Sequence, residues 1–401
     1  MTVVFLHPDL GLGGAERLVV DAASHLVAHG HRVVVLTAHH DRARAFPATV
    51  DGSLDVRVRG GALPAQVLGH LRAPCAIARM AWLALGLRGL RPQPDVVVCD
   101  LVAHAIPLAR LAGRAPVVLY CHHPDRFLAP AGRGLYRWYR APIDRLEAFG
   151  TPYAARVLVN SRYTAARVRE AFPTLATEPD VIHPGVDVLP CPDLALDGTG
   201  AATILAMGRF DPRKNLVLAV EAFAALRGRL APEAFAPVRL VVAGAFDARL
   251  REQRDTVAAL ERRTAALGLA ERVSVVRSPS ETERLALLAA ARCVVHTPAD
   301  EHFGYVPVEA MAAGRPVVAA RSGGPAETVV DGETGFLCTP TPEAFGEALA
   351  RLVTDPGCAA RLGRAGRRRV AEQFSSAAFG ARFTAVLADV AIGARRRSQT
   401  G

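Results

Sequence analysis

Short apolar runs alternate with longer amphipathic stretches along the chain, which predicts parallel strands joined by crossover helices. In the first half we expect strands at residues 3–6, 32–37, 56–58, 96–99, 117–121 and 156–160. In the second half we expect strands at residues 203–207, 239–243, 273–276, 293–297, 316–320 and 336–338. The helical pattern is clearest at residues 15–29, 216–226, 248–267 and 281–291. The fold class predicted from this pattern is α/β, with two doubly wound, Rossmann-like domains.

A stretch rich in Pro, Asp and Gly at residues 190–200 separates the two halves of the pattern. We therefore expect a first domain at 1–188, a linker at 189–202 and a second domain at 203–375. Residues 376–401 predict a C-terminal helix and a basic tail that pack back toward the first domain. Ligands of doubly wound sheets bind at the carboxyl ends of the strands, so we expect a ligand in the cleft between the domains.

The composition bears on the cellular compartment of the protein and on its classes of partner more than on its chemistry. The seven cysteines fall singly, without Cys-x-x-Cys, so the sequence indicates neither a disulfide framework nor a zinc site and favours a reducing cytoplasm. The formal net charge of +10 is compatible with nucleic acid, acidic lipid or anionic small molecules as partners, and equally with an ordinary solvated surface.

The sequence also bears on membrane association. Residues 2–6 read as a first buried strand and not as a signal peptide, and no apolar run reaches the ~20 residues that span a bilayer. Residues 76–90 are the nearest candidate for an interfacial helix, with Arg79 and Arg88 at the head groups, and an ordinary buried helix is an equal alternative. Arg395, Arg396 and Arg397 form a basic cluster that favours acidic lipid.

Lys214 is the one lysine in a chain whose other positively charged side chains are all arginine. It follows Arg209 at the junction of a predicted strand and a predicted helix, where anionic groups commonly bind. An ammonium is a compact point charge that a planar guanidinium does not replace. This pattern predicts that Lys214 contacts a phosphate.

Two glycine-containing loops open predicted helices at strand ends. Gly13 and Gly14 follow the first strand, and Gly323 and Gly324 precede Glu327. Such turns place backbone N–H groups beside anions, although a plain tight turn uses glycine as well. The first loop lacks the full Gly-x-Gly-x-x-Gly spacing, and no acidic residue ends the second strand, so a nicotinamide enzyme is not supported.

Two glutamates stand eight positions apart after the strand at 293–297. We expect Glu301 in the loop at the strand end and Glu309 in the first turn of the next helix, with the amides of Phe303 and Gly304 free between them. A single glutamate in a first turn usually compensates the helix dipole. A second one in a glycine-containing loop indicates a binding site.

Taken together and in this order, these motifs resemble those of the family 4 retaining glycosyltransferases of GT-B fold. Further segments resemble the α-1,3/1,6-mannosyltransferases of dolichol-linked oligosaccharide assembly over nearly the whole chain, at residues 5–11, 13–19, 120–125, 139–144, 158–161 and 301–304. The resemblance implies a nucleotide-sugar donor, expected to be GDP-mannose, and a lipid-linked saccharide as the second substrate. It also implies that no metal is obligatory, that no nucleic acid binds, and that the protein is peripheral on the cytoplasmic face of a membrane.

The resemblance also implies roles for individual residues. Arg209 and Lys214 would neutralise the leaving diphosphate, and Glu309 would accept hydrogen bonds from the ribose. The implied catalytic residues are Glu301, beside the transferred sugar, and His122, which reaches the reaction from the first, glycan-binding domain. The implied donor-binding residues are Gly13, Gly14, Arg209, Lys214, Phe303, Gly304 and Glu309, with Gly323, Gly324 and Glu327 as further candidates. Two alternatives stay open, namely a UDP-sugar-dependent glycosyltransferase acting on another substrate and a non-catalytic subunit that binds nucleotide sugars.

Overall fold

The computed structural model describes residues 1–67, 71–128, 135–194 and 202–400. The chain divides into two compact units, of which the first comprises Met1–Gly185 with Ser376–Gly401 and the second comprises Val186–Ser375. Half of the predicted linker, residues 195–201, lies outside the described residues.

The first unit contains a parallel sheet of seven described strands in the order β3-β2-β1-β4-β5-β6-β7. The strands are β1 Thr2–His7, β2 Arg32–Thr37, β3 Asp55–Val58, β4 Val96–Asp100, β5 Val117–Cys121, β6 Arg156–Val159 and β7 Asp180–Val181. The central strands are buried on both faces, which is why they read as continuous apolar runs without alternation. The short β7 was not expected, because two residues carry too little pattern to be recognised.

Seven described helices belong to the first unit. They are α1 Gly14–Ala28, α2 Arg72–Gly86, α3 Ile106–Gly113, α4 Asp125–Leu128, α5 Leu135–Gly150, α6 Arg162–Ala171 and, from the end of the chain, α15 Ser376–Thr400. Helix α5 was not predicted, since it carries Pro142 in its interior. One described helical stretch, Pro356–Arg397, includes an 18-residue window apolar enough to cross a bilayer, of which 33% is buried. The aromatic residues of α15 pack inside the unit, where Phe383 stacks on Phe5 at 6.1 Å between ring centroids.

The second unit contains a parallel sheet of six described strands in the order β10-β9-β8-β11-β12-β13. The strands are β8 Thr203–Met207, β9 Arg239–Gly244, β10 Val273–Arg277, β11 Ala291–His296, β12 Val317–Ala320 and β13 Gly335–Cys338. The described helices around it are α7 Leu216–Arg227, α8 Pro232–Phe235, α9 Arg251–Ala266, α10 Glu281–Ala290, α11 Tyr305–Ala312, α12 Pro325–Thr328, α13 Pro342–Thr354 and α14 Pro356–Arg369.

One expected helix position was wrong. Helix α11 begins at Tyr305, after Gly304 with a φ of 87°, so Glu309 lies in its second turn and not in its first. Pro307 is the third residue of the helix, where a missing N–H still costs no intrahelical hydrogen bond. The carboxyl ends of β8 to β11 meet at one edge of the sheet, which brings the loops after these strands together.

Candidate active site

The loops after β8 and β9 approach each other unusually closely. The Gly208 amide donates to the Ala243 carbonyl at 3.0 Å. A Cβ built on Gly244 would lie 1.6 Å from the Gly208 carbonyl oxygen, so only glycine fits at position 244. This close approach forms the floor of a cavity at the carboxyl edge of the second sheet.

The cavity has a volume of about 340 Å³ and lies wholly within the second unit. It is lined by Met207, Gly208, Arg209, Ala243, Gly244, Ala245, Ser278, Pro279, Arg284, Val306 and Glu309. Arg209 and Glu309, both predicted as donor contacts, therefore lie at one cavity. Two guanidinium groups and a carboxylate at an otherwise largely apolar cavity suit a planar base with a ribose and an attached phosphate.

Arg284 is a residue of this cavity that sequence reasoning missed. Its guanidinium donates to Glu309 Oε2 at 3.1 Å and to Glu281 Oε1 at 2.7 Å. It extends from α10, whose start is set by a capping box between Ser280 and Glu283. Because guanidinium is a rigid fork, these contacts hold the Glu309 carboxylate in one place as a hydrogen-bond acceptor. The capping box of Ser280 and Glu283 can be recognised in the sequence. The contact between Arg284 and Glu309 cannot, because it depends on the tertiary structure.

Lys214 is positioned by the turn that it ends and by a hydrogen bond to its backbone carbonyl. It ends a short 3₁₀ turn, Pro212–Lys214, that is capped by Asp211 and followed by Asn215 in the left-handed region at a φ of 45°. The Thr297 hydroxyl, just after β11, donates to the Lys214 carbonyl at 2.8 Å. These contacts aim the ammonium at Glu301, with Nζ 2.5 Å from Oε2. An ammonium has three donors, so two remain for other groups.

Glu301 is an ionised carboxylate held in a protected setting. Its side chain is 17% exposed, and the ring Nε2 of buried His296 lies 3.4 Å from Oε2. Burial by itself raises the pKa of Glu301, but His296 and Lys214 outweigh it and hold the pKa well below its usual range. Burial lowers the pKa of His296, which favours its neutral form. Glu301 consequently acts as a hydrogen-bond acceptor and not as a proton donor.

The glycine turn after β12 supports the loop that carries Glu301. The Gly324 amide donates to the Glu301 carbonyl at 2.8 Å, and a Cβ on Gly323, whose φ is 62°, would lie 2.3 Å from the same oxygen. The Gly324 amide therefore already has an acceptor within the protein, and the anion-binding role of this turn stays a prediction. Glu327 follows in α12, and Phe303 is buried, with its ring centroid 5.3 Å from that of Tyr305.

The remaining predicted residues, Gly13, Gly14 and His122, belong to the first unit. Gly13 is the N-cap of α1, and a Cβ there would lie 2.3 Å from a carboxylate oxygen of Glu16. His122 follows β5, and its Nε2 lies 2.9 Å from Oδ1 of Asp100. Asp100 ends β4 and is fully buried.

No group of three or more His, Cys, Asp or Glu side chains in the described ranges is arranged to hold a metal ion. The structure thus brings together Lys214 with Glu301, and Arg209 with Glu309, within the second unit. Arg284 and His296 join the site in the second unit, and Asp100 contacts His122 in the first unit. The sequence did not single out these three residues.

The two Rossmann-like units, with cations and carboxylates at the strand ends of the second unit, have the GT-B fold. The HepE protein of Anabaena, solved with UDP and glucose, has this fold, with a TM-score of 0.71 at 23% identity over 97% of this chain and 100% of that chain. Sucrose-phosphate synthase from Thermosynechococcus elongatus gives a TM-score of 0.74 at 22% identity over 97% of this chain and 98% of that one.

The sequence comparisons place the chain within this class. Residues 12–188 match Glycosyltransferase Family 4, and residues 197–369 match Glycosyl transferases group 1. The human α-1,3/1,6-mannosyltransferase ALG2 is 42% identical over 94% of this chain and 93% of its own length, and that of Saccharomyces cerevisiae is 33% identical over 93% and 82%. The chain belongs to the family of α-1,3/1,6-mannosyltransferases.

Proposed function

We propose that the protein transfers mannose, with retention, from GDP-mannose to a glycan carried on a polyprenyl diphosphate. The observation that carries the proposal is the 42% identity to an α-1,3/1,6-mannosyltransferase over 94% of the chain. The contact of Lys214 with Glu301 and the cavity shared by Arg209 and Glu309 support it, because a module that only binds nucleotides has no need of a charged pair beside the cavity.

The donor is proposed to bind in the second unit. The base and ribose occupy the cavity of about 340 Å³, where Glu309 accepts hydrogen bonds from the ribose hydroxyls. The diphosphate is contacted by the exposed guanidinium of Arg209, which makes no hydrogen bond among the described residues, and by the remaining donors of Lys214. As the bond to the sugar breaks, negative charge grows on that diphosphate, and two fixed cations stabilise the charge.

Glu301 is proposed to act on the transferred sugar. Its carboxylate is ionised, so it accepts hydrogen bonds from sugar hydroxyls and stabilises positive charge that develops at the reacting carbon. Lys214 contacts the carboxylate on one side and is aimed at the diphosphate on the other. The pair therefore places one negative and one positive group at the two ends of the bond that breaks.

The glycan is proposed to bind in the first unit, where His122 follows β5. The donor contacts proposed for Gly13, Gly14, Phe303 and Gly304 are backbone contacts, so side-chain replacements test them poorly. His122 offers a ring nitrogen to a hydroxyl of the glycan.

Membrane association is proposed to be peripheral and on the cytoplasmic face. On α2 the side chain of Trp82 is 52% exposed and that of Leu85 38% exposed, whereas Met80 and Leu83 are buried. One expectation for this helix was wrong, because Arg79 is buried and donates to the Leu63 carbonyl at 3.1 Å instead of reaching head groups. Trp82→Ala is expected to lower binding to acidic liposomes by about tenfold, and binding of the parent protein should weaken with salt.

The decisive experiment offers the purified protein GDP-mannose, UDP-glucose and UDP-galactose, with a polyprenyl-diphosphate-linked saccharide as the second substrate. We expect mannose transfer from GDP-mannose alone, in α-1,3 or α-1,6 linkage. Arg209→Ala should raise the KM for the donor at least tenfold. Arg213→Ala is the matched control, since that neighbouring arginine is 70% exposed and paired with Asp211. Faster transfer from a UDP-sugar, or no transfer from any donor, would refute the proposal.

A further inference from the structure

A buried carboxylate in the first unit contacts two histidines at once. Asp100 Oδ2 lies 2.8 Å from Nδ1 of His7, and Oδ1 lies 2.9 Å from Nε2 of His122. Asp100 and His7 are fully buried, and the His122 side chain is 16% exposed. The three residues end or follow β1, β4 and β5, which are adjacent strands of the sheet.

These contacts determine where the ring protons lie. An ionised carboxylate only accepts hydrogen bonds, so His7 must donate through Nδ1–H and His122 through Nε2–H. Burial by itself raises the pKa of Asp100, but the two histidines outweigh it and lower the pKa below its ordinary value. Burial likewise lowers the pKa of His7, and here Asp100 and Glu16 outweigh it, so the net direction is upward.

We propose that Asp100 is a positioning residue that locks His122 as the Nε2–H tautomer and thereby leaves its Nδ1 as the acceptor for a hydroxyl of the glycan. The inference rests on the proposed function for the identity of that hydroxyl. The assignment of Nε2 as the nitrogen that donates to Asp100 does not depend on the proposed function, because it follows from the contact between Nε2 and Oδ1. The reaction needs the hydroxyl to be a better nucleophile, and a hydrogen bond to a neutral ring nitrogen provides this.

His7 lies between two carboxylates, Asp100 and Glu16. Its second ring nitrogen, Nε2, is buried without a hydrogen-bond partner among the described residues, and it lies 4.0 Å from Oε1 of Glu16. An imidazolium at this position faces a carboxylate on each side, which offsets part of the cost of burying Asp100.

The other titratable groups around Asp100 do not disturb this arrangement. Burial raises the pKa values of the Cys99 and Cys121 thiols, so both stay neutral. Glu16 is the further acidic group that acts on His7, and Asp9 acts on it through its backbone. The pH dependence of the cluster therefore reports on the two histidines and Asp100.

Histidine ring ¹⁵N spectra of the full-length protein test the tautomer without any activity measurement. We expect His122 as the Nε2–H form, with a ring proton on Nε2 and none on Nδ1, and we expect Asp100→Asn to remove that preference. An asparagine amide has one acceptor oxygen and an NH₂ group that only donates, so it cannot accept from both rings. A His122 ring that carries its proton on Nδ1 in the parent protein would overturn the proposal, whether or not mannose is transferred.

Kinetics then test whether the tautomer matters for the reaction. Asp100→Asn should lower kcat by about 10²-fold or more, while the KM for GDP-mannose stays within about twofold. Asp95→Asn is the matched control, since Asp95 lies just before the start of β4 and pairs with Arg395. Its kcat should stay within about twofold of the parent value.

A double variant separates positioning from general structural support. In a His122→Ala background, Asp100→Asn should lower kcat by no more than about threefold, because the residue through which it acts is absent. A loss as large as in the parent background would overturn the proposal. If the parent protein and the Asp100→Asn variant both fail to transfer mannose, the proposed function is refuted. The ¹⁵N spectra then still decide the tautomer of His122.

Discussion

Replacing Lys214 by alanine removes the ammonium from a partly buried pair and leaves Glu301 with His296 alone. The Lys214 side chain is 24% exposed and that of Glu301 17% exposed, so the lost hydrogen bond is neither fully screened nor fully buried. A hydrogen bond to a charged group contributes about 2 kcal/mol in such a setting. We expect about that loss in the free energy of unfolding at neutral pH.

The stability difference should depend on pH in a defined direction. The pKa of Glu301 in the folded protein lies below its ordinary value, so the pair stabilises the fold above the unfolded-state pKa of about 4.3. That stabilisation is lost as the pH falls through the lower folded-state pKa. The unfolding curves of Lys214→Ala and the parent protein should therefore differ at pH 7 and converge at strongly acid pH.

The effect on turnover should exceed the effect on stability. Loss of one fixed charge at a leaving group typically costs about 10² to 10³ in kcat, and Lys214→Arg should recover only part of it. The assay is steady-state transfer from GDP-mannose, with urea unfolding of the same preparations as the folding control. Turnover at the parental rate in a folded Lys214→Ala protein would refute the role of Lys214.

Three further predictions follow from the second unit. Arg284→Met should raise the KM for the donor about tenfold with little change in kcat, because Glu309 loses its partner. Glu281→Gln, on the exposed side, should change neither parameter, and equal effects of the two substitutions would contradict this role of Arg284. Gly244→Ala should cost about 3 kcal/mol of stability through its clash with the Gly208 carbonyl, and Gly61→Ala, with no atom within 4 Å, is the control for a scan of thermal unfolding. Transfer should persist in excess chelator, and a loss of activity restored by magnesium or manganese would show that a metal neutralises the diphosphate.

The elements of the fold were largely readable from the sequence. The strands predicted at 32–37, 117–121 and 203–207 have the same bounds in the structure, because a strand buried on both faces is a continuous apolar run. The start of α11 was misjudged, since it depends on Gly304 taking a left-handed conformation that its neighbours do not reveal.

The candidate site residues could likewise be recognised in the sequence as charged side chains after predicted strands. The sequence by itself determined that Lys214, Glu301 and Glu309 fall in loops or early helical turns that follow strands. Their pairing was decided by the tertiary structure alone. Lys214 and Glu301 are 87 positions apart and meet because β8 and β11 are neighbours in the sheet. His7 and Asp100, 93 positions apart, meet because β1 pairs with β4. Local patterns report burial and turn chemistry, whereas strand order is a property of how crossover connections pack the whole sheet.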